Sequence, residues 1–68
     1  MITVTVNGEL RQVEEGALLA DLLEELGIGE RRVAVERNRD IVKQEQYQAT
    51  ELGDGDVLEI IEFVGGGC

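Results

Sequence analysis

The sequence contains no proline, no histidine and no tryptophan, and only one cysteine (Cys68), one tyrosine (Tyr47) and one phenylalanine (Phe63). A single cysteine cannot close a disulfide within the chain, and without histidine or a second thiol a zinc or iron–sulfur site has almost nothing to bind to. Histidine-based catalysis is excluded on the same count. Basic side chains are scarce as well: six lysines and arginines stand against fifteen aspartates and glutamates, for a net charge of −9. A phosphate backbone or an anionic bilayer selects clustered positive charge, so neither nucleic acid nor a membrane is an expected partner. The longest unbroken apolar run is Ala17-Leu18-Leu19-Ala20, against the roughly 20 residues a spanning helix needs. The first residues also lack the basic start and apolar stretch of a secretory signal. The expectation is a cytoplasmic protein without a metal site.

At 68 residues, 43% of them hydrophobic and 31% charged, the chain has a globular composition and room for one small domain. Ile2, Val4 and Val6 alternate with Thr3 and Thr5 ahead of Asn7-Gly8. That pair tolerates the positive φ of a type I′ turn, so residues 1–13 predict a β-hairpin, with Leu10 and Val13 as apolar contacts on the return strand. Over 17–26 the period changes: Leu19, Leu22, Leu23 and Leu26 fall at i, i+3, i+4 and i+7, with Asp21, Glu24 and Glu25 on the other side, which predicts an amphipathic helix. Glu14 and Glu15 suit the positive end of its dipole, and Gly27 stands where a left-handed C-cap belongs. Only Gly16 is available as an N-cap, so the first turn is expected to fray.

Residues 32–37 read as a third strand carrying Val33 and Val35, ended by turn formers at 38–40, and Ile41 and Val42 fit a short fourth strand. Residues 43–49, polar around Tyr47, are compatible with one helical turn or with a loop, and the sequence leaves both open. Gly53-Asp54-Gly55-Asp56 marks a tight turn, and 57–64 a final strand rich in β-branched residues. The order predicts an α+β domain in which one main helix packs on one face of a mixed four- to five-stranded sheet.

In the final strand Leu58 and Ile60 share one side with Glu62, while Ile61 and Phe63 share the other with Glu59. Two readings follow: a central strand partly buried on both sides, or a partner-docking patch of Ile61, Phe63 and Val64 on the face the helix leaves open. Charge is segregated too. Arg31, Arg32, Arg37, Arg39 and Lys43 against Glu36 and Asp40 make 31–43 net +3, leaving −12 elsewhere in a chain of −9. A solvated loop region or an acidic body steered onto a basic partner both fit that pattern.

Enzyme motifs are missing. The carboxylates at Glu14-Glu15, Glu24-Glu25 and Asp54 with Asp56 occupy exposed helix or turn contexts, with nothing to split their pKa values as acid–base catalysis requires. Asp54-Gly55-Asp56 lacks the ligand spacing of a calcium loop, and the glycine-rich end lacks the Lys-Ser/Thr and following helix of a phosphate loop. What remains is Phe63-Val64-Gly65-Gly66-Gly67-Cys68, where a strand runs into three glycines. Glycine loses more backbone freedom on folding than any other residue, so 65–68 add nothing to a core and are expected to form a flexible tail on a domain spanning 1–64. Four residues reach at most about 13 Å, at roughly 3.3 Å each, and a thread without Cβ atoms enters channels closed to other sequences. An inert tail is the plain alternative.

Taken in register, these features are similar to those of the ThiS family, the sulfur carrier proteins of thiamin (thiazole) biosynthesis, within the ubiquitin-like β-grasp group. The resemblance covers nearly the whole chain. It is carried by the opening strand with Asn7-Gly8, the leucine-rich helix, Val35-Glu36-Arg37-Asn38 followed by Ile41-Val42, Tyr47, Gly55-Asp56-Val57, and Glu59-Ile60-Ile61 through Phe63-Val64-Gly65-Gly66-Gly67. It implies a β-grasp fold and a protein co-substrate rather than an enzyme. The terminal glycine would be adenylated by a ThiF-like adenylyltransferase using ATP and magnesium, the carrier itself binding no cofactor. Sulfur from a donor such as a cysteine desulfurase would then give a thiocarboxylate, and a ThiG-like thiazole synthase would consume it. Apolar residues beside the tail dock such partners in the family.

Cys68 departs from the pattern, because family members end at glycine. Removal of Cys68 to expose Gly67 is the expectation, with Gly66 behind it; an added residue and a persulfide-carrying thiol are the alternatives. Other functions within reach of the same chemistry are a sulfur carrier for molybdopterin or another sulfur-containing metabolite, and a ubiquitin-like modifier joined to a target lysine. Fold alone does not choose among them.

Overall fold

The Asn7-Gly8 corner forms as its residue types require. In the computed structural model of the protein, which describes residues 1–29 and 32–63, Asn7 and Gly8 hold φ of 50° and 85°, the signs a type I′ turn demands. The turn joins β1 (Ile2–Val6) to β2 (Glu9–Val13) as an antiparallel pair with Val6 opposite Glu9 and Thr5 opposite Leu10. That register turns Leu10 onto the face of Thr5, away from the core, and it is 76% exposed. Of the two apolar contacts expected on the return strand, only Val13 is buried.

The helix α1 is shorter than its periodicity suggested, spanning Leu19–Glu25. Ala17 and Leu18 are held extended instead: Leu18 bridges Glu51, the Leu52 N–H donates to the Ala17 carbonyl at 2.9 Å, and the Leu19 N–H donates to the Thr50 carbonyl at 2.8 Å. The first turn does not need a capping side chain at its N-cap, because the Asp21 carboxylate accepts the Leu18 N–H at 3.0 Å. Two amide donors expected to be orphaned are thus satisfied, one by a distant carbonyl and one from within the helix. At the other end Gly27 has φ 79°, its N–H donates to the Glu24 carbonyl, and the Ile28 N–H donates to the Leu23 carbonyl. These are the two bonds of a Schellman cap, built on the glycine anticipated there.

The chain continues through β3 (Val33–Arg37) and β4 (Asp40–Val42), a 3-10 helix (Gln44–Ala49) that settles the open choice at 43–49, and β5 (Val57–Glu62). Asn38 and Arg39, at φ 52° and 75°, make a second two-residue turn of the primed type between β3 and β4. Among the described residues the five strands form one sheet in the order β2-β1-β5-β3-β4. β5 runs parallel to β1 and antiparallel to β3, so the last strand lies in the middle of a mixed sheet, as the α+β reading required.

One face of this sheet carries the core. Val4, Val6, Val13, Val35, Leu58 and Ile60 meet Leu19, Leu22 and Leu23 of α1, and Leu52 closes the end. Burying side chains of this size contributes about 1.5–3 kcal/mol each relative to exposure. Tyr47 packs against the same cluster and donates its hydroxyl to the Val33 carbonyl at 3.3 Å; burial pushes its phenol pKa up. Val64 and the tail residues Gly65, Gly66, Gly67 and Cys68 lie outside the described residues.

The parallel pairing of β1 with β5 is only two positions long, Thr5 opposite Val57 and Val6 opposite Leu58, and polar groups extend it at both ends. Before β5, Asp54 Oδ1 accepts the Thr3 N–H at 2.9 Å, the Gly55 N–H donates to the Thr3 carbonyl, and the Thr5 N–H donates to the Asp56 carbonyl. Beyond Val6, the Asn7 N–H donates to the Leu58 carbonyl, and its side-chain amide engages Ile60.

Candidate functional site

Strand alternation separates the side chains of β5 into two sets. Leu58 and Ile60 are buried under α1, whereas Val57, Glu59, Ile61 and, just past the strand, Phe63 belong to the opposite face. Among the described residues nothing covers that face. Ile61 and Phe63 are each 56% exposed although β5 is central. The expectation of a strand buried on both sides fails for this reason: a single helix covers a single face.

The ladder with β3 shows what surrounds them. Ala34 stands opposite Ile61, Glu36 opposite Glu59, and Glu36 in turn opposite Ile41 of β4. The Phe63 N–H donates to the Arg32 carbonyl at 3.0 Å, continuing the ladder one rung past the end of β5. On the other flank Leu10 and Val57 meet across Thr5. Leu10, Ile41, Val57, Ile61 and Phe63, five of the six large apolar side chains left exposed among the described residues, therefore share this open face. Sequence reading picked out Ile61 and Phe63 there and missed Leu10, Ile41 and Val57. A two-residue Asn7-Gly8 turn carries the missing signal for Leu10, since it forces position 10 to face position 5.

Two polar locks fix the frame that presents the patch. The Asp56 carboxylate, on a residue only 7% exposed, accepts from the Gly53 N–H at 2.8 Å, the Arg37 Nε at 2.8 Å and the Asn38 Nδ2 at 3.1 Å. Asn38 Oδ1 accepts the Val57 N–H at 3.0 Å, closing the loop back onto β5. Burial pushes the Asp56 carboxyl pKa up, but the hydrogen bonds from Gly53, Asn38 and Arg37, with the guanidinium charge, outweigh it and hold the pKa below its ordinary value. The second lock is Asn7, whose side-chain amide makes a two-way pair with the backbone of Ile60, immediately before Ile61. Asn38 and Asp56 are thus turn residues, as anticipated, with partners well beyond their own turns.

Among the described residues, clefts elsewhere offer no competing chemistry. One of about 550 Å³ lies at the opposite end of β1 from the patch, lined by Glu14, Glu15, Asp21 and Glu25 with Met1 and Leu22. Among the described residues no group of three or more His, Cys, Asp or Glu side chains is placed to hold a metal ion, and no helix is long and apolar enough to cross a membrane.

A mixed sheet in this order, clasping one helix, and a C-terminal central strand whose apolar outer face leads to the chain end define a β-grasp protein. The sequence profile of the ThiS family matches residues 4–67, and the chain belongs to that family. It is similar to a solved ThiS thiamine biosynthesis protein from Geobacter metallireducens, with a TM-score of 0.80 and 35% identity over 97% of this chain and 100% of the other. It is 40% identical over 63 residues to the sulfur carrier protein ThiS of Bacillus subtilis, covering 91% of this chain and 96% of that protein. It is also 45% identical over 64 residues to a thiazole synthase of Paramagnetospirillum magneticum; there the match takes in 94% of this chain but spans only 20% of the longer protein.

Proposed function

We propose that this chain is a protein co-substrate, a sulfur carrier for thiazole formation in thiamin biosynthesis, acting in the cytoplasm. The observation that carries the reading is the family match, which runs through Gly65, Gly66 and Gly67 and stops short of Cys68; near full-length similarity to a sulfur carrier supports it. The chemistry starts at the carboxylate of Gly67, once Cys68 is removed. An ionised carboxylate resists nucleophiles, and a glycine carboxylate is unhindered. A ThiF-like adenylyltransferase using ATP and magnesium joins it to AMP, with loss of pyrophosphate, and the resulting acyl-adenylate has a good leaving group. The persulfide sulfur of a donor such as a cysteine desulfurase displaces AMP to give an acyl disulfide, a thiol reductant supplies the two electrons that cleave its S–S bond and release the thiocarboxylate, and a ThiG-like thiazole synthase takes the sulfur from it. That a thiazole synthase contains a region similar to this chain supports the last pairing.

In this scheme the folded domain is a handle. Ile61, Phe63 and Val64 dock the partner enzymes, and Gly65 to Gly67 thread the terminus into their active centres. The test is ATP–pyrophosphate exchange by the adenylyltransferase with three forms of the chain: ending at Gly67, ending at Cys68, and lacking 66–68. Exchange with the first alone is the expected result. Equal exchange with all three would overturn the assignment of Gly67 as the loaded residue.

A further inference from the structure

Resting on that reading, we infer that the open sheet face recognises its enzyme partner through a basic side chain, arginine or lysine, seated between Glu36 and Glu59 and flanked by apolar contacts on Ile61 and Ile41. The observation is the register. Glu36 of β3 and Glu59 of β5 stand directly opposite each other, and Ile41 of β4 stands opposite Glu36 on its other side. Like charges in directly opposed positions destabilise a sheet. Among the described residues neither carboxylate has an ion-pair or hydrogen-bond partner that would relieve this. The nearest bases along the face are Lys43, one same-face rung past Ile41, and Arg32, two rungs away past Ala34 and Ile61, or about 7 and 13 Å along the strands at roughly 3.3 Å per residue, and neither is paired with the two acids.

The free protein therefore holds two carboxylates together within an apolar patch, an arrangement that a bound cation relieves and a bound neutral surface would worsen by desolvation. The demand follows for a partner whose docking surface is apolar with one positive charge placed opposite that rung. Charge also argues against a second copy of this chain as the occupant. Two faces carrying the same acid pair, on bodies of −9 each, repel one another. The reading converts the general acidity of the chain into a local specificity device, because a competing partner without the cation would have to bury both carboxylates unpaired.

The experiment takes the chain ending at Gly67 as the unaltered reference, builds each variant on it, and measures the KM for the carrier in ATP–pyrophosphate exchange by its adenylyltransferase, at low and at high salt, together with the melting temperature and solution mass of each. The double variant Glu36→Gln and Glu59→Gln should melt no lower than the unaltered chain and raise KM about tenfold at low salt with kcat unchanged. It should also lose most of the rise in KM that salt causes in the unaltered protein, where the Debye length shrinks below about 10 Å above 0.1 M. Ile61→Ser should raise KM at both salt concentrations. If the double variant leaves KM and its salt dependence unchanged while Ile61→Ser raises KM, the acid-pair inference is wrong and the docking role of the face stands. If the Gly67-ended chain supports no exchange at all, the proposed function fails and the inference falls with it. A doubled mass for the unaltered chain that Ile61→Ser abolishes would assign the face to self-association and overturn the inference.

Discussion

The side-chain amide of Asn7 satisfies both backbone groups of Ile60: Oδ1 accepts the Ile60 N–H at 2.8 Å and Nδ2 donates to the Ile60 carbonyl at 3.1 Å. A corner residue of the first hairpin thus substitutes for a missing strand residue, prolonging the short parallel pairing of β1 and β5 toward Ile61 and the chain end. Two net hydrogen bonds at about 1 kcal/mol each, and the left-handed conformation that Asn tolerates better than Ala, set the expected loss for Asn7→Ala at about 2–3 kcal/mol. Asn7→Gly keeps the conformation and should lose less, about 1–2 kcal/mol. Urea denaturation of both variants checks the ordering; equal stability of all three proteins would show that the amide pair contributes nothing.

Asp56 gives a pH dependence whose sign is fixed by its lowered pKa. In the unfolded chain it titrates near 3.9, roughly the value of a free aspartate. Its contribution is fully present above that pH and is lost as the pH falls through the lower folded value. Asp56→Asn should therefore be less stable than the unaltered protein at pH 7, by about 2–3 kcal/mol, with the gap narrowing as the pH falls below about 4. Thermal melts across pH 2–7, bounds chosen to bracket a carboxylate near 4, measure it. A gap independent of pH would contradict the assignment of the buried carboxylate as the hub of the lock.

Leu58 and Ile61 test the two faces of one strand. Leu58 is fully buried and Ile61 is exposed, so Leu58→Ala should cost about 3–4 kcal/mol and Ile61→Ser less than about 0.5 kcal/mol. Denaturant midpoints report both, and a large loss for Ile61→Ser would mean the outer face is packed.

Arg39 is exposed and sits at φ 75°, a conformation that L side chains resist and glycine adopts freely. Arg39→Gly should stabilise the protein by about 0.5–1 kcal/mol. A loss of stability would show that the guanidinium makes a compensating interaction.

Much of this architecture is legible in the sequence, for local reasons. Asn7-Gly8 specifies its turn, Gly27 its cap, and the leucine period its helix, because each depends on residues within one or two turns of chain. The parts that sequence reading misplaces depend on distant partners. The helix starts at Leu19 rather than Ala17 because Thr50 and Leu52 draw residues 17 and 18 into a bridge. Leu10 looks like a core residue until its register against Thr5 is counted. The second roles of Asn7 and Asp56 are invisible because their turn function already accounts for both residue types. The site is split in the same way: Ile61 and Phe63 are legible as apolar residues beside glycines, but the alternation of a central strand does not say which face one helix will cover.

The central claim is that the glycine end of this protein is loaded with sulfur by another enzyme, and intact-mass analysis of the protein isolated from cells growing without supplied thiamin tests it most directly. The account predicts a population ending at Gly67 in which sulfur replaces one oxygen of the terminal carboxylate. A chain that keeps Cys68 and never carries sulfur under those conditions, or one found only as a branch on lysine side chains of other proteins, would contradict it.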